Sequence, residues 1–466
     1  MNIKKLHPYI YIIFTFFCVI LMGTMLLLLP ISYNKDYISQ TSAGNYFANS
    51  LFMSTSAVCV TGLSVMPDGI VDNMSIFGKA VMVLLMEIGG LSIITIAVFF
   101  FSILGGKIGL SSNFILKESL NQNSVNGIMG LVKHIVILSL TIQAIGILVN
   151  WYPIYEYTKY LDGNGNVLKA LLMSGFHAAA SFNNAGFDVF SADSMVLFSS
   201  TEYMNYGLST FSMITINIST MLMIIFGGIG VVILNDLRVS RFKWSKLSLH
   251  SKITLITTGC LIVFGGLLLK LTNNNMNWME AFFTAITCRT AGFQTYRMSD
   301  LTPAGTIICT FLMIIGASPC SCGGGIKTTT FAIIVLAIIY FSIGKKTRAF
   351  NRTIETSQII KAFVLVSVTI ICCIMNTFLV LLIQPELGLD ETLFEVVSAF
   401  STTGLSKGIT TNLNIPNKIF ISLLMFFGRL GPLTVIGVVN KNWFTSSKEL
   451  IKYVEESVYI GWKRIF

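Results

Sequence analysis

By length alone, 466 residues would make two to four soluble domains. With 54% hydrophobic residues, 11% charged residues and a mean hydropathy of +0.76, most of the chain must instead lie in lipid or in a membrane-buried interior. The net charge of +10 is spread over connecting segments rather than gathered in one patch, which argues against nucleic acid and leaves membrane lipid as the surroundings.

In chain order, the first apolar run covers about 9–30 and follows Lys4 and Lys5. It is too long for a signal-peptide core and lacks a small-residue cleavage site, so it reads as a retained span. A short segment at 45–59 and a run at about 74–104 complete a first unit, 1–104. The second unit, 105–236, holds runs at about 128–153, 168–183 and 204–235; the third, 237–345, at about 248–272, 278–289 and 301–341. The fourth, 346–440, has runs at about 358–384, 391–401 and 413–439, and 441–466 reads as a cytoplasmic tail. The outer runs are long enough to cross a bilayer and the short middle ones are not, so the latter read as re-entrant half-helices. The expected fold class is an all-α integral membrane protein of four pseudo-symmetric helix–re-entrant segment–helix repeats around a central pore.

The short segments share a pattern. Phe52, Phe176, Phe282 and Phe394 each precede a glycine by ten residues (Gly62, Gly186, Gly292 and Gly404), and Leu63, Phe187, Phe293 and Leu405 follow those glycines. Any one Thr-Gly string is accounted for by a helix C-cap; four in register within four matching units point to a pore. The third runs add glycines of their own, Gly89-Gly90, Gly227-Gly228, Gly316 and Gly428, which suit close helix packing or a bend.

Lys and Arg set the expected orientation. Segments 1–8, 105–133, 237–252, 342–361 and 440–466 hold 20 of the 31, while Asp36, Asp68, Asp72, Asp162, Asp188, Asp193, Asp300, Asp390 and Glu391 lie on the other side. Both termini are therefore expected in the cytoplasm of a multi-pass cell-membrane protein, with an acidic outer rim that concentrates cations. The nine cysteines and four histidines show no metal-ligand spacing, which leaves buried free thiols as the simpler reading.

A cation that leaves water needs replacement oxygens, and an extended backbone with inward carbonyls supplies them. Glycine tolerates the dihedrals that this geometry requires. The expected ion-binding residues are Val60, Thr61 and Gly62; Asn184, Ala185 and Gly186; Thr290, Ala291 and Gly292; and Thr402, Thr403 and Gly404. The half-helix before each triplet turns its partly negative C-terminal end to the same point.

These residues carry a family resemblance over essentially the whole chain. VTGL, NNAGF, RTAGF and STTGL, with ASPCSCGGGIKTTT at 317–330 and FGRLGP at 427–432, resemble the ion-translocating subunits of the Trk/Ktr/HKT superfamily of potassium transporters. Eight spans resemble the Ktr type more than the larger Trk type. The resemblance implies that Gly62 marks potassium selectivity, where a serine would go with sodium permeation. One glycine per segment further suggests fewer ordered binding layers than a longer filter has, and so imperfect rejection of sodium. The resemblance also implies a homodimer on a cytoplasmic ring of nucleotide-binding regulatory subunits. The basic loops 237–252 and 342–361 could serve as contacts with that ring, although plain topology signals explain them equally well.

The stretch 316–325 cannot be a regular helix, because proline removes a donor and each glycine costs roughly 1 kcal/mol relative to alanine. The resemblance identifies it as an intramembrane gate built from Gly316, Ser318, Pro319, Gly323, Gly324, Gly325 and Lys327; a simple kinked helix is the alternative. Arg429 is expensive at membrane depth unless it faces the interior. The resemblance makes it an electrostatic barrier near the gate, and an arginine bonded to carbonyls is the structural alternative. Arg289 is expected to brace the filter against a buried acid, with Glu280, Glu395 or Glu87 open as partners. Cys320 and Cys322 replace the small residues usual in this loop, as tolerated substitutions or as redox sensors. The spans hold no evident catalytic cluster and the chain no nucleotide-binding fingerprint, so an enzyme is not expected and transport follows the electrochemical gradient. No cofactor is expected; K+ is the cargo, and Na+ a candidate activator. A sodium-permeable or cation-symporting relative is the alternative reading.

Overall fold

The computed structural model describes residues 8–67, 69–91, 95, 128–190 and 194–431. The 441–466 tail, Asp68, Asp193 and most of the basic segments 1–8, 105–133 and 440–466 lie outside them. The described residues form a mostly helical membrane protein. Its helices are α1 (Pro8–Leu27), α2 (Lys35–Gln40), α3 (Ala43–Val58), α4 (Gly69–Asn73), α5 (Ile76–Leu91), α6 (Ile128–Asp162), α7 (Val167–Phe182) and α8 (Thr210–Ile229). They continue with α9 (Val231–Val239), α10 (Leu249–Thr272), α11 (Trp278–Thr287), α12 (Pro303–Ile314), α13 (Thr328–Ser342), α14 (Thr356–Ile383), α15 (Leu389–Ser401) and α16 (Ile415–Leu430). A hairpin of β1 (Arg348–Ala349) and β2 (Arg352–Thr353) joins α13 to α14.

Polar residues start these helices where the sequence turns apolar. Ser209, Ser248, Thr302 and Asn414 accept from the backbone N–H three residues on, and Asn277 with Glu280 forms a capping box at α11. Among the described residues, the helices within 132–162, 210–229, 249–272 and 356–383 are each long and apolar enough to cross a membrane. Their outward faces bear large apolar side chains: Leu148, Phe264 and Phe378 are each more than half exposed. In water such faces would aggregate; in lipid they are the ordinary surface.

The short helices α3, α7, α11 and α15 are the inner elements. Each packs on the long helix before it, α1, α6, α10 and α14 in turn. Each also meets the later helix of the preceding unit: α5 packs on α7, α8 on α11, α12 on α15, and α16 returns to α3. The contacts thus close a circle. Lipid tails are as apolar as these side chains, so packing and hydrogen bonds rather than transfer from water hold the circle together. Glycine makes the close approach possible. A Cβ at Gly89, Gly227 or Gly428 would strike the carbonyl oxygen of Val58, Phe182 or Phe400, each four residues before a glycine of the shared pattern.

Helices α6 and α8 differ from the sequence reading. Helix α6 runs on to Asp162 through Pro153, beyond the expected end at 153; freed backbone groups in a membrane helix are re-satisfied by neighbours. The later helix of the second unit is interrupted at Gly230 (φ +94°), three residues past Gly227, and continues as α9.

Candidate functional site

The loops that follow the four short helices meet at the centre of the circle. The second residue before each glycine is left-handed: Val60 (φ +56°), Asn184 (+57°), Thr290 (+71°) and Thr402 (+52°). The glycines follow at +98° for Gly62, +67° for Gly186, +82° for Gly292 and +90° for Gly404. Two left-handed residues with one between them turn each chain sharply off its helix. For Val60, β-branched, this conformation is a genuine outlier that only surrounding structure can impose.

The glycines abut one another in cyclic order. A Cβ on Gly62 would lie 2.5 Å from the carbonyl oxygen of Ala185, one on Gly186 2.8 Å from that of Ala291, and one on Gly292 2.5 Å from that of Thr403. A Cβ on Gly404 would strike the carbonyl of Thr61 and close the ring. The twelve residues singled out from sequence therefore converge on one place. Val60, Thr61, Asn184, Ala185, Thr290, Ala291, Thr402 and Thr403 are all fully buried. No described residue donates a hydrogen bond to any of the twelve carbonyls. Buried backbone carbonyls are almost always paired, so a cluster of them without protein donors is unusual.

Two units carry a brace that the sequence reading missed. Ser56 Oγ accepts from Gly62 N–H at 3.1 Å and donates to Leu63 O at 2.8 Å, and Ser398 Oγ accepts from Gly404 N–H at 3.0 Å. The matching positions are Ala180 and Ile286, so this brace is absent from the second and third units. Its signal was a serine six residues before the glycine.

On one side the ring opens into a vestibule of about 320 Å³ whose lining includes Gly62, Gly186, Gly292, Gly404, Asp188, Arg297 and Lys407. Burial pushes the Asp188 carboxyl up to about 6, partly offset by hydrogen bonds such as the one from Phe190 N–H. Lys407 lies 2.9 Å from Asp390 and holds that carboxyl below its usual range. Arg297 and Lys407 were not anticipated from sequence.

On the other side lies the broken stretch between α12 and α13. Its backbone is tied to its surroundings: Ser318 N–H donates to Gly228 O at 3.1 Å and Gly324 N–H to Thr402 Oγ1 at 2.9 Å. Lys327 Nζ donates to Gly323 O at 2.6 Å. A Cβ at Gly323 would strike Thr290 Oγ1, and one at Gly324 would lie 2.5 Å from Thr402 Oγ1. Gly316 packs against the Gly324 carbonyl, Gly325 takes φ +66°, and the Pro319 carbonyl lies 2.6 Å from a Cβ built at Gly230. The stretch is thus an irregular loop seated directly against the ring residues Thr290 and Thr402, not a kinked helix. Arg429, at the end of α16, donates to Cys322 O and to Gly89 O. It bonds to carbonyls, one of them in this loop.

Arg289 departs from expectation. Glu280 accepts from Ser200 N–H and Oγ and from Asn277 N–H, and Glu395 from Ser406 and Thr410, so both acids brace loops on the vestibule side. Among the described residues Arg289 forms no ion pair with them or with Glu87, and its Nε has no partner. It packs among Ile224, Ile225, Thr258 and Ile262 of α8 and α10, because the turn after α11 sends its side chain outward between the helices.

The chain is similar to known proteins over nearly its whole length. The family described as TrkH, cation transport protein, matches residues 7–443. The chain is 33% identical over 477 residues to the potassium/sodium uptake protein NtpJ of Enterococcus hirae, covering 98% of each chain. It is 34% identical over 459 residues to the Ktr system potassium uptake protein B of Bacillus subtilis, covering 96% of this chain and 95% of that one. Its fold is similar to the crystal structure of the potassium transporter TrkH from Vibrio parahaemolyticus, with a TM-score of 0.67 at 16% identity over 95% of this chain and 87% of that one.

Proposed function

The chain belongs to the TrkH family of cation transport proteins, multi-pass membrane transporters and not enzymes, and we propose that it is the pore-forming subunit of a Ktr-type potassium uptake system. The observation that carries this reading is the ring of unpaired carbonyls on the four glycine-ended loops. A dehydrated K+ at the ring exchanges water oxygens for Thr61, Ala185, Ala291 and Thr403 carbonyls and their neighbours. The C-terminal ends of α3, α7, α11 and α15 add partial negative charge there. The closed circle of packing contacts supports four repeats around one pore, and the Lys and Arg of the connecting segments favour the vestibule on the outer face and both termini in the cytoplasm.

The loop at 315–327 serves as the gate. It lies against ring residues Thr290 and Thr402 and is latched from α16 by Arg429, while Lys327 folds back onto Gly323 O, and the two place positive charge on the ion's path. The sequence carries no nucleotide-binding fingerprint, and in this reading flux follows the electrochemical gradient. The assembly in this reading is a homodimer on a cytoplasmic ring of nucleotide-binding regulatory subunits, which bias the latch. A second reading, a sodium-permeable or cation-symporting transporter with Na+ as activator or co-ion, is favoured by the likeness to the potassium/sodium uptake protein of Enterococcus hirae.

The test is growth and ion uptake in cells stripped of their own potassium uptake. The chain, expressed with its regulatory partner, should restore growth at low external K+ and accumulate K+ ahead of Na+. Accumulation of Na+ without K+ would replace the first reading with the second.

A further inference from the structure

At the membrane face opposite the vestibule, α13, the β1–β2 hairpin and the start of α14 enclose a cavity of about 680 Å³. Its two walls differ in chemistry. One is hydrocarbon, formed by Ile338, Phe341 and Phe363, which are 54%, 87% and 43% exposed and continue the lipid-facing surfaces of α13 and α14. The other is cationic and hydroxylic: exposed Lys345 and Lys346 stand beside Thr347 and Thr353, with Arg348 and Arg352 on the adjoining hairpin. Glu355 is the one carboxylate among the described residues of the lining.

The level of this cavity in the bilayer follows from its neighbours. Phe350 at the hairpin turn meets Trp244 edge-on with ring centroids 6.4 Å apart, and Lys252 lies 5.8 Å over the Phe350 ring. Arg348 lies 5.8 Å over Tyr340. Half-exposed aromatics interleaved with Lys and Arg mark the headgroup layer. An occupant must therefore place an anion against the lysines and alkyl chains along Phe341 and Phe363. A soluble protein cannot enter that hydrocarbon wall, and a free anion leaves it bare.

We propose that this cavity is a binding site for one anionic phospholipid, with its phosphate between Lys345 and Lys346 and its acyl chains on the α13–α14 face. The site is independent of the ion transported. A lipid held there would tie α13, which carries the gate loop at its start, to α14.

The test uses the purified full chain in detergent, titrated with phosphatidylglycerol or phosphatidylcholine and read by native mass spectrometry. One phosphatidylglycerol should be retained per chain at concentrations where phosphatidylcholine is not. The double variant K345Q/K346Q should raise its half-saturation about tenfold, since each cation near an anionic lipid is worth roughly a factor of five and part of that is shared with the hairpin arginines. Both lysines are exposed, so folding is not at stake. The same charge change at K243Q/K246Q should shift half-saturation less than about twofold, because that pair lies outside the cavity. Equal effects of the two pairs, no effect of K345Q/K346Q, or competition by glycerol phosphate as strong as that of the intact lipid would each overturn the proposal. So would a K345Q/K346Q variant that keeps its lipid but loses response to the regulatory subunit, which would assign the lysines to a protein partner.

Discussion

Asp188 is the residue where charge and ring meet. It lies two positions past Gly186 in the vestibule, and burial lifts its carboxyl to about 6. The sign follows from that shift: above about 6 the group is anionic and raises cation concentration at the mouth; below it the group is neutral and the effect is lost. Potassium uptake should therefore fall roughly two- to fivefold as external pH drops from 7 to 5, the scale of one charge in a wet mouth. Asp188→Asn should be slower at pH 7 and flat across that range. An unchanged pH profile in the variant, measured as initial uptake rate, would remove Asp188 from the ion's path. At this scale the sequence was partly legible. Glycine identified four turn points because only glycine tolerates those dihedrals cheaply, but the left-handed Val60, Asn184, Thr290 and Thr402 gave no such signal. Their conformation is imposed by packing around the ring, which no local pattern records.

At the scale of elements, the third unit differs from the second through its loop between α12 and α13. The second unit also interrupts its later helix, but only by the single residue Gly230 between Ile229 and Val231. The loop's hydrogen bonds to Thr402 and Gly228 hold it against the ring, and its glycines allow backbone contact with Thr290 and Thr402 that any Cβ would prevent. Shortening residues 317–325 should raise potassium flux about tenfold or more, the change expected from removing roughly 1.4 kcal/mol of barrier. Uptake and size-exclusion profile would be measured together; unchanged or lower flux in a normally folded deletion would contradict a gate there. The short helices themselves were legible to within about two residues, since an apolar face ended by glycine is a local signal. The surroundings of Arg289 were not. Three acids were near enough in sequence logic to serve, but the turn after α11 points the side chain between α8 and α10, and Glu280 and Glu395 are committed to loop backbone and hydroxyls.

At the scale of the whole molecule, function rests on closure. Each short helix leans on the later helix of the preceding unit, α16 returns to α3, and the four glycines touch in the same cyclic order. The repeats were legible because their pattern recurs at the same spacing; their cyclic order was not, because adjacency of the first and fourth units involves residues such as Asn49 and Lys418, 2.9 Å apart in space but 369 positions apart in sequence. Because the glycines abut in a closed ring, disturbing one disturbs its neighbour's carbonyl, and under the proposed function selectivity is a shared property. Gly62→Ser places a Cβ 2.5 Å from the Ala185 oxygen at a φ of +98° that serine adopts poorly. The decisive measurement is K+ against Na+ flux through the reconstituted wild type and Gly62→Ser. Preference for K+ should drop by roughly tenfold in the variant while cation flux persists, equivalent to about 1.4 kcal/mol of discrimination. An unchanged preference in a folded, conducting variant would contradict the assignment of the glycine ring as the selectivity filter.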